Sequence, residues 1–244
     1  MDTYNKFLKY YDEIVRGVNS PLEDEVEFLV EDCIKEYKPD AKTILEAACW
    51  TWTVALELKN KWYNISWFDI NDKALDIAKQ KLWDKNIFKA DMVNFDLNKT
   101  YDVVLCNYNS ICHLLDWNDW VSFFSNVYNH LDKGWIFIFD INTLYEFENI
   151  TKEFAQFYTF WEDVVCLEMF KKTWYFEWLV KIFNHKDWDN FELTKEVVKE
   201  NSFPISKIEN ELKLKWFELK EKIDYHYWEV SAESERVYFI CIKK

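Results

Sequence analysis

Thr43-Ile44-Leu45-Glu46-Ala47-Ala48-Cys49-Trp50-Thr51-Trp52 decides the fold. It is a short apolar run closed by an acid, then a tight stretch of mostly small residues. An amphipathic segment over 53–61 follows it at helical spacing. A strand that turns at once into a helix opens a crossover unit, and the pattern continues outward. Asn64–Asp69 is a second apolar run ending in an acid. Asn71 then caps a helix with Ala74, Leu75, Ile77, Ala78 and Leu82 on one face. Further strands are predicted over Ile87–Ala90, Tyr101–Cys106 and Trp135–Ile141, with a helix of about Asn118–Leu131 between the last two. Strand-helix alternation of this kind predicts an α/β fold with a mostly parallel sheet flanked by helices.

Both flanks read differently. Before residue 41 the chain is helical: aromatics Tyr4, Phe7, Tyr10 and Tyr11 precede a turn at Arg16-Gly17. A second helix is then opened by Ser20, Pro21 and Glu23 and stopped by Pro39. After Asn142, Val164–Lys172, Tyr175–His185 and Phe191–Glu200 are long and rich in aromatic and β-branched residues, which predicts an inserted antiparallel sheet. Pro204 ends it, Ser206 caps a helix to about Leu214, and closing strands fall near Phe217–Tyr225 and Arg236–Ile242. The expected organisation is a helical segment over 1–40, a Rossmann-like parallel core over 41–142, an inserted antiparallel β subdomain over 143–204, and a helix and strands returning to the core sheet over 205–244.

Composition narrows the function. A net charge of −14 works against nucleic acid and anionic membranes, because such binding rests on lysine and arginine displacing counterions. The six cysteines (Cys33, Cys49, Cys106, Cys112, Cys166, Cys241) form no C-x-x-C pair, and His130, His185 and His226 have no ligand spacing, so no metal is expected. Apolar runs are strand-length and no signal-peptide core is visible, so a soluble, cytoplasmic protein is expected.

The opening segment resembles the first motif of class I S-adenosylmethionine-dependent methyltransferases, a strand ending in an acid and then a C-G-T-G turn; here Trp50 and Trp52 replace the glycines. The likeness extends through Asp69, 23 residues beyond Glu46, and Ala90-Asp91-Met92. It continues in Tyr101–Cys106 and in Leu131-Asp132-Lys133-Gly134-Trp135. Tyr4, Phe7, Tyr11 and Asp12 match an amino-terminal Y-x-x-F-x-x-x-Y-D pattern of small bacterial members. The resemblance implies a Rossmann-like core that binds S-adenosylmethionine and releases S-adenosylhomocysteine. It assigns Asp69 to the ribose hydroxyls, Asp91 and Met92 to the adenine, and the turn with Ala48, Cys49 and Trp50 to the methionine part, with Glu46, Ile70 and Asn107 as further cofactor-binding residues. Tyr4 and Tyr11 would close over the site.

On the acceptor side, His113 and Asp140 follow the fourth and fifth strands, where open α/β sheets bind ligands, and are the candidate catalytic residues. Both have an ordinary alternative as structural residues. Glu196, Glu200 and Arg236 either face the acceptor or decorate strands. A small-molecule acceptor is expected, with the chain a monomer or homodimer; D/N-P-P-Y/F, typical of amino-methylating DNA enzymes, is missing after the fourth strand. One rival is a nicotinamide-dependent oxidoreductase, disfavoured because the turn is not G-x-G-x-x-G. Another is a noncatalytic binding protein on the same fold.

The chain holds two glycines and fourteen tryptophans, whereas glycine averages about 7% of residues. Trp50, Trp52, Trp62, Trp67, Trp83, Trp135, Trp174, Trp188, Trp216 and Trp228 stand where turns, helix ends and the cofactor loop would take glycine. This predicts that a glycine codon, for example UGA, was decoded as tryptophan when the sequence was produced. The alternative is that the indoles are real and strain those turns. Trp120 and Trp178 sit inside apolar patterns and read as genuine.

Overall fold

The computed structural model describes residues 6–17, 22–48, 53–82, 86–153, 155–226 and 228–244. In chain order the elements are α1 (Leu8–Gly17), α2 (Leu22–Glu27, widening into a π-helical stretch Phe28–Lys35), β1 (Thr43–Ala47), α3 (Thr53–Asn60), β2 (Asn64–Asp69), α4 (Asp72–Leu82), β3 (Ile87–Lys89) and β4 (Tyr101–Cys106). There follow α5 (Trp117–Asn129), β5 (Leu131–Asn142), α6 (Leu144–Ile150), β6 (Gln156–Phe160), β7 (Asp163–Lys171), β8 (Phe176–Asp187), β9 (Asn190–Glu200), α7 (Ile205–Leu214), β10 (Phe217–Asp224) and β11 (Arg236–Lys243).

Seven strands form one sheet in the order β10-β11-β5-β4-β1-β2-β3. β1 through β5 run parallel, and β11 is inserted antiparallel against β5 with Ile138 opposite Ile240. Strands this deep in a sheet are covered on both faces, which explains their continuous apolar runs. Val104, Phe137 and Phe139 pack with Trp120, Phe123 and Phe124 of α5 on one side. Ile44, Val103, Leu105 and Ile138 pack with Leu29, Val30, Cys33 and Leu58 on the other. Each such side chain, removed from water, contributes about 1.5–3 kcal/mol before entropy is counted.

The second sheet is antiparallel, β6-β7-β8-β9. Val165, Leu167, Val180, Ile182 and Val198 form its apolar face, and Phe7, Tyr10 and Ile14 at α1 cover it. α1 is latched there at its start: the Lys6 and Phe7 amides donate to the Glu196 carboxylate at 2.8 and 3.1 Å, and the Tyr10 hydroxyl donates to Asp163 at 2.6 Å.

Several expectations shift. β6 and α6 were not read from the sequence. α6 begins where the Glu146 amide donates to Thr143 Oγ1 at 3.1 Å, a T-x-x-E cap overlooked among neighbouring aromatics. Pro204, not Ser206, occupies the N-cap of α7, since its φ of −54° already suits the helix entry. Asn71 caps α4 as expected, its Oδ1 accepting from the Lys73 and Ala74 amides. Ser20 and Pro21 lie outside the described residues.

The tryptophans divide sharply. Trp120 is fully buried and donates Nε1–H to the Leu114 carbonyl at 2.7 Å. By contrast Trp62 and Trp216 follow α3 and α7 at φ +74° and +66°, the left-handed position where helices end on glycine. Trp188 occupies the first place of the two-residue loop between paired Asp187 and Asn190, at φ +49°. Trp161 does the same between Phe160 and Asp163 at φ +57°, a glycine-like site the sequence reading left out. Such hairpin loops demand positive φ and favour Gly, Asn or Asp. These four indoles are 95%, 69%, 92% and 100% exposed for Trp62, Trp216, Trp188 and Trp161. Trp67 and Trp135 lie instead inside β2 and β5, with Trp67 fully buried, so the turn explanation does not reach them. Trp50, Trp52 and Trp83 lie outside the described residues.

Candidate active site

Parallel strands deliver their carboxyl ends to one edge of the sheet, and Glu46, Ala48, Asp69, Ile70, Asp91, Met92 and Asn107 lie at or just past those ends. Glu46 lies in β1 and Asp69 ends β2; both are nearly buried. Ala48, just past β1, takes φ +52°, and its carbonyl accepts from Ser110 Oγ at 3.3 Å, tying the first turn to the segment after β4. Asp69 Oδ1 accepts the Asn71 amide at 2.8 Å, which orients the carboxylate at the strand end. Ile70 beside it is 62% exposed, an apolar face left at the rim. Asp91 Oδ1 accepts the Val93 amide at 2.9 Å, and the neighbouring Met92 packs into the core. Asn107 directly follows β4 and is buried, yet neither its Oδ1 nor its Nδ2 has a partner. A buried amide left unpaired costs on the order of 1–3 kcal/mol, so this position suits a polar ligand group. Tyr4, Cys49 and Trp50 lie outside the described residues.

Beyond this edge lies a cleft of about 790 Å³ between the two sheets' elements. Tyr11, Tyr108, Tyr158, Trp178 and Tyr225 give it aromatic walls, and His113, His226, Glu146, Glu153, Glu200, Glu235 and Arg236 supply its acidic and basic groups. Tyr11 and His113 both line this cleft. Glu200 and Arg236 also face the cleft, whereas Glu196 is spent on latching α1.

Behind the cleft wall a buried network fixes its geometry. Asp140 Oδ2 accepts from Arg236 Nε at 2.6 Å and from the Asn109 amide at 2.9 Å. Asp140 is fully buried, which places it behind Arg236 and not among the cleft-lining groups. Burial pushes its carboxyl up, against the opposing pull of Arg236. Burial pulls the guanidinium's pKa down, but Asp140, Tyr238 and Glu25 outweigh it and hold the pKa well above the ordinary arginine value. Arg236 Nη2 also reaches Glu25 Oε1 at 3.3 Å, and the Tyr238 hydroxyl donates to the same oxygen at 3.0 Å. Asn109, at φ +61°, clasps two strands, β5 and β9: its amide meets Asp140, its Oδ1 accepts the Asn142 amide at 2.6 Å, and its Nδ2 donates to Glu200 Oε1 at 3.3 Å. Trp178 Nε1 donates to Glu200 Oε2 at 2.7 Å, and His113 Nε2 lies 3.7 Å from Glu200 Oε1.

Glu25, Trp178 and Glu146, which join this network or line the cleft, are not singled out by the sequence as site residues, whereas Asn109 stands among the residues that follow the fourth strand. Only Asn109 carried a signal, its place just after a parallel strand. Among the described residues no cluster of His, Cys, Asp or Glu is arranged to hold a metal ion, and no helix is long and apolar enough to cross a membrane. Cys33, Cys106, Cys112, Cys166 and Cys241 are buried free thiols.

Comparison with known proteins gives the same direction. The family profile described as "Methyltransferase domain" matches residues 44–134. YqeM of Bacillus subtilis (strain 168), provisionally named a methyltransferase, is 25% identical over 253 aligned positions covering 97% of this chain and 95% of its own. A protein of Geobacillus sp. (strain WCH70) with the same provisional name is 24% identical over 156 residues; the aligned part is 62% of each, less than two thirds of that relative's length. An S-adenosylmethionine-dependent methyltransferase from Clostridium acetobutylicum ATCC 824 superposes with a TM-score of 0.86 at 24% identity over 98% of both chains. CalS10, an amino pentose methyltransferase from Micromonospora echinaspora solved with S-adenosylmethionine bound, does so at 0.77 with 15% identity over 96% of each.

Proposed function

We propose that this chain, which carries a methyltransferase domain over residues 44–134 and has the fold of S-adenosylmethionine-dependent methyltransferases, methylates a small molecule held in the cleft beside its sheet edge. The observation that carries the reading is Asn107: a buried, unpaired amide at the carboxyl edge of the sheet, just past β4, whose neighbour β1 bears Glu46 and separates it from β2 with Asp69.

The donor set fits S-adenosylmethionine. Asp69 offers a carboxylate for ribose hydroxyls, Ile70 an apolar face beside it, and Asp91 with Met92 the adenine edge. Glu46, Ala48, Cys49, Trp50 and Asn107 take the methionine end, with Tyr4 and Tyr11 closing from the amino terminus. When bound, the sulfonium supplies an electrophilic methyl carbon: its C–S bond breaks as an acceptor lone pair forms the new bond, and sulfur keeps the electron pair as a thioether.

The chain's own part is alignment, exclusion of water and handling of a proton. The amino-terminal helices and the 143–204 segment cover the cleft. His113 stands beside Glu200 at the cleft wall and takes the acceptor's proton. Asp140 positions: it locks Arg236 and the Asn109 amide, so the walls keep their spacing.

Calorimetry with S-adenosylmethionine and with S-adenosylhomocysteine tests this. Both are expected to bind, and Asp69→Ala is expected to weaken them about 10- to 100-fold, the loss of charge-assisted hydrogen bonds. No binding to the unaltered chain, or unchanged affinity in the variant, would overturn the assignment.

A further inference from the structure

The cleft's charge is one-sided. Four carboxylates line it, from Glu146, Glu153, Glu200 and Glu235, and among the described lining residues no lysine answers them. Its one guanidinium, Arg236, is committed: Asp140 holds Nε at 2.6 Å, Glu25 lies 3.3 Å from Nη2, and the Tyr108 and Tyr238 rings lie 4.9 and 5.0 Å from its central carbon. Elsewhere the chain pairs its acids readily, as in Lys171 with Glu148 and Lys186 with Glu192. Beside the two lining histidines, His113 and His226, the cleft therefore keeps an excess of carboxylates over permanent cations inside low-dielectric walls, where field lines are focused.

The walls add a second, independent preference. Tyr11, Tyr108, Tyr158, Trp178 and Tyr225 present ring faces or edges to the same volume. Aromatic faces attract cations, more strongly when water is excluded. Glu200 shows how the floor is set: it is buried and accepts from two neutral donors, Asn109 Nδ2 and Trp178 Nε1, with His113 Nε2 3.7 Å away. These bonds orient the carboxylate without cancelling its charge. A phosphate or nucleotide handle would meet repulsion from every acidic wall and find the one guanidinium already engaged, which is selection by exclusion as well as by attraction.

We propose that the cleft selects a small cationic acceptor, one that carries a protonated amine and no phosphate. This rests on reading the cleft as the acceptor site. Burial, with Glu235 and Glu153 nearby, pushes the Glu146 carboxyl up to about 7, the crowding that a bound ammonium relieves. The ammonium sheds one proton, to Glu200 or His113, before its nitrogen lone pair can accept a methyl group.

The test uses the whole chain saturated with S-adenosylhomocysteine and follows thermal midpoints at fixed ionic strength. Three probe sets are compared at equal concentration: ethanolamine, glucosamine and tyramine, each beside its uncharged, amine-free counterpart and a phosphorylated one. The amines are expected to raise the midpoint, and the uncharged and phosphorylated partners to leave it in place. Glu146→Gln with Glu200→Gln is expected to weaken amine capture about tenfold, and the more exposed Glu235→Gln provides a milder variant should that pair fold poorly. Glu192→Gln with Glu218→Gln, equal in net charge but away from the cleft, is expected to leave it unchanged. Equal or larger shifts from the phosphorylated members, amine shifts no larger than those of the uncharged members, or loss of amine capture in the surface control overturns the proposal. Cofactor binding by calorimetry is scored separately. A chain that binds S-adenosylhomocysteine but prefers phosphate fails here alone, and one that captures amines without binding the cofactor fails the methyltransferase reading alone.

Discussion

Replacing Trp62, Trp161, Trp188 and Trp216 together with glycine is expected to stabilise the protein. All four residues hold left-handed backbone, with φ between +49° and +74°. A side chain there costs about 1–2 kcal/mol, and glycine gives back about 0.5–1 kcal/mol through its freer unfolded chain. The net gain is about 0.5–1 kcal/mol per site. Their indoles are at least 69% exposed, so little packing is lost. The local hydrogen bonds, such as the Trp216 amide to the Lys213 carbonyl at 3.2 Å and His185 Nε2 to the Trp188 carbonyl at 2.7 Å, use backbone atoms that glycine keeps. The sites lie in four separate turns, so the gains should add to about 2–4 kcal/mol. For a chain of this size that is a rise of roughly 5–15 °C in melting temperature, read by circular dichroism. Trp120→Gly, at a fully buried indole, is the opposing control and should lose about 3–5 kcal/mol. A quadruple variant that melts at or below the starting temperature refutes the reasoning. The decoding explanation has its own test, peptide mass spectrometry on protein from the native source: it requires glycine at 50 and 52 and dies if tryptophan is found there.

Three further outcomes follow from other elements. Glu196→Ala removes the carboxylate that caps α1, so hydrogen exchange across 7–17 should quicken about 5- to 30-fold, from about 1–2 kcal/mol of lost capping, while the core amides stay protected. Glu146 titrates near 7 in the fold against 4.5 for the free group, so the folded chain alone keeps that proton between those values and stability falls as pH rises through the window. Glu146→Gln should therefore raise the urea midpoint at pH 8 and leave it nearly unchanged at pH 4; an equal effect at both refutes the shift. Arg236→Met strands Asp140 and Glu25 as buried charges and should cost about 3–5 kcal/mol in urea unfolding, a loss that neutralising both acids should partly restore.

The parallel strands were legible because burial on both faces writes continuous apolar runs, and the acids that end them stand out against that background. Asp69 is read this way. The inserted sheet showed itself through β-branched and aromatic residues, but its first strand, β6, is short and follows a helix whose Thr143 cap was hidden among aromatics. What no local pattern could show is pairing across the chain. Arg236 meets Glu25 and Asp140, and Glu196 meets the amide of Phe7, partners far apart in sequence. Asp140 was a catalytic candidate from its place near the carboxyl end of a parallel strand, where ligands bind; its burial behind Arg236 appears only once β11 lies beside β5.

That antiparallel insertion also sets a timetable for synthesis. β5 emerges from the ribosome with Phe137 and Phe139 on a strand whose outer neighbour, β11, is made only when translation reaches Arg236. At roughly 5–20 residues per second the nascent chain carries this open edge for about 5–20 seconds, while the whole antiparallel sheet is being extruded. An unpaired aromatic strand is a template for the wrong partner. The chain's demand on chaperones should therefore peak late, between completion of β9 and arrival of β11, and a stall in that interval would leave an aggregation-prone intermediate in place of a half-finished enzyme.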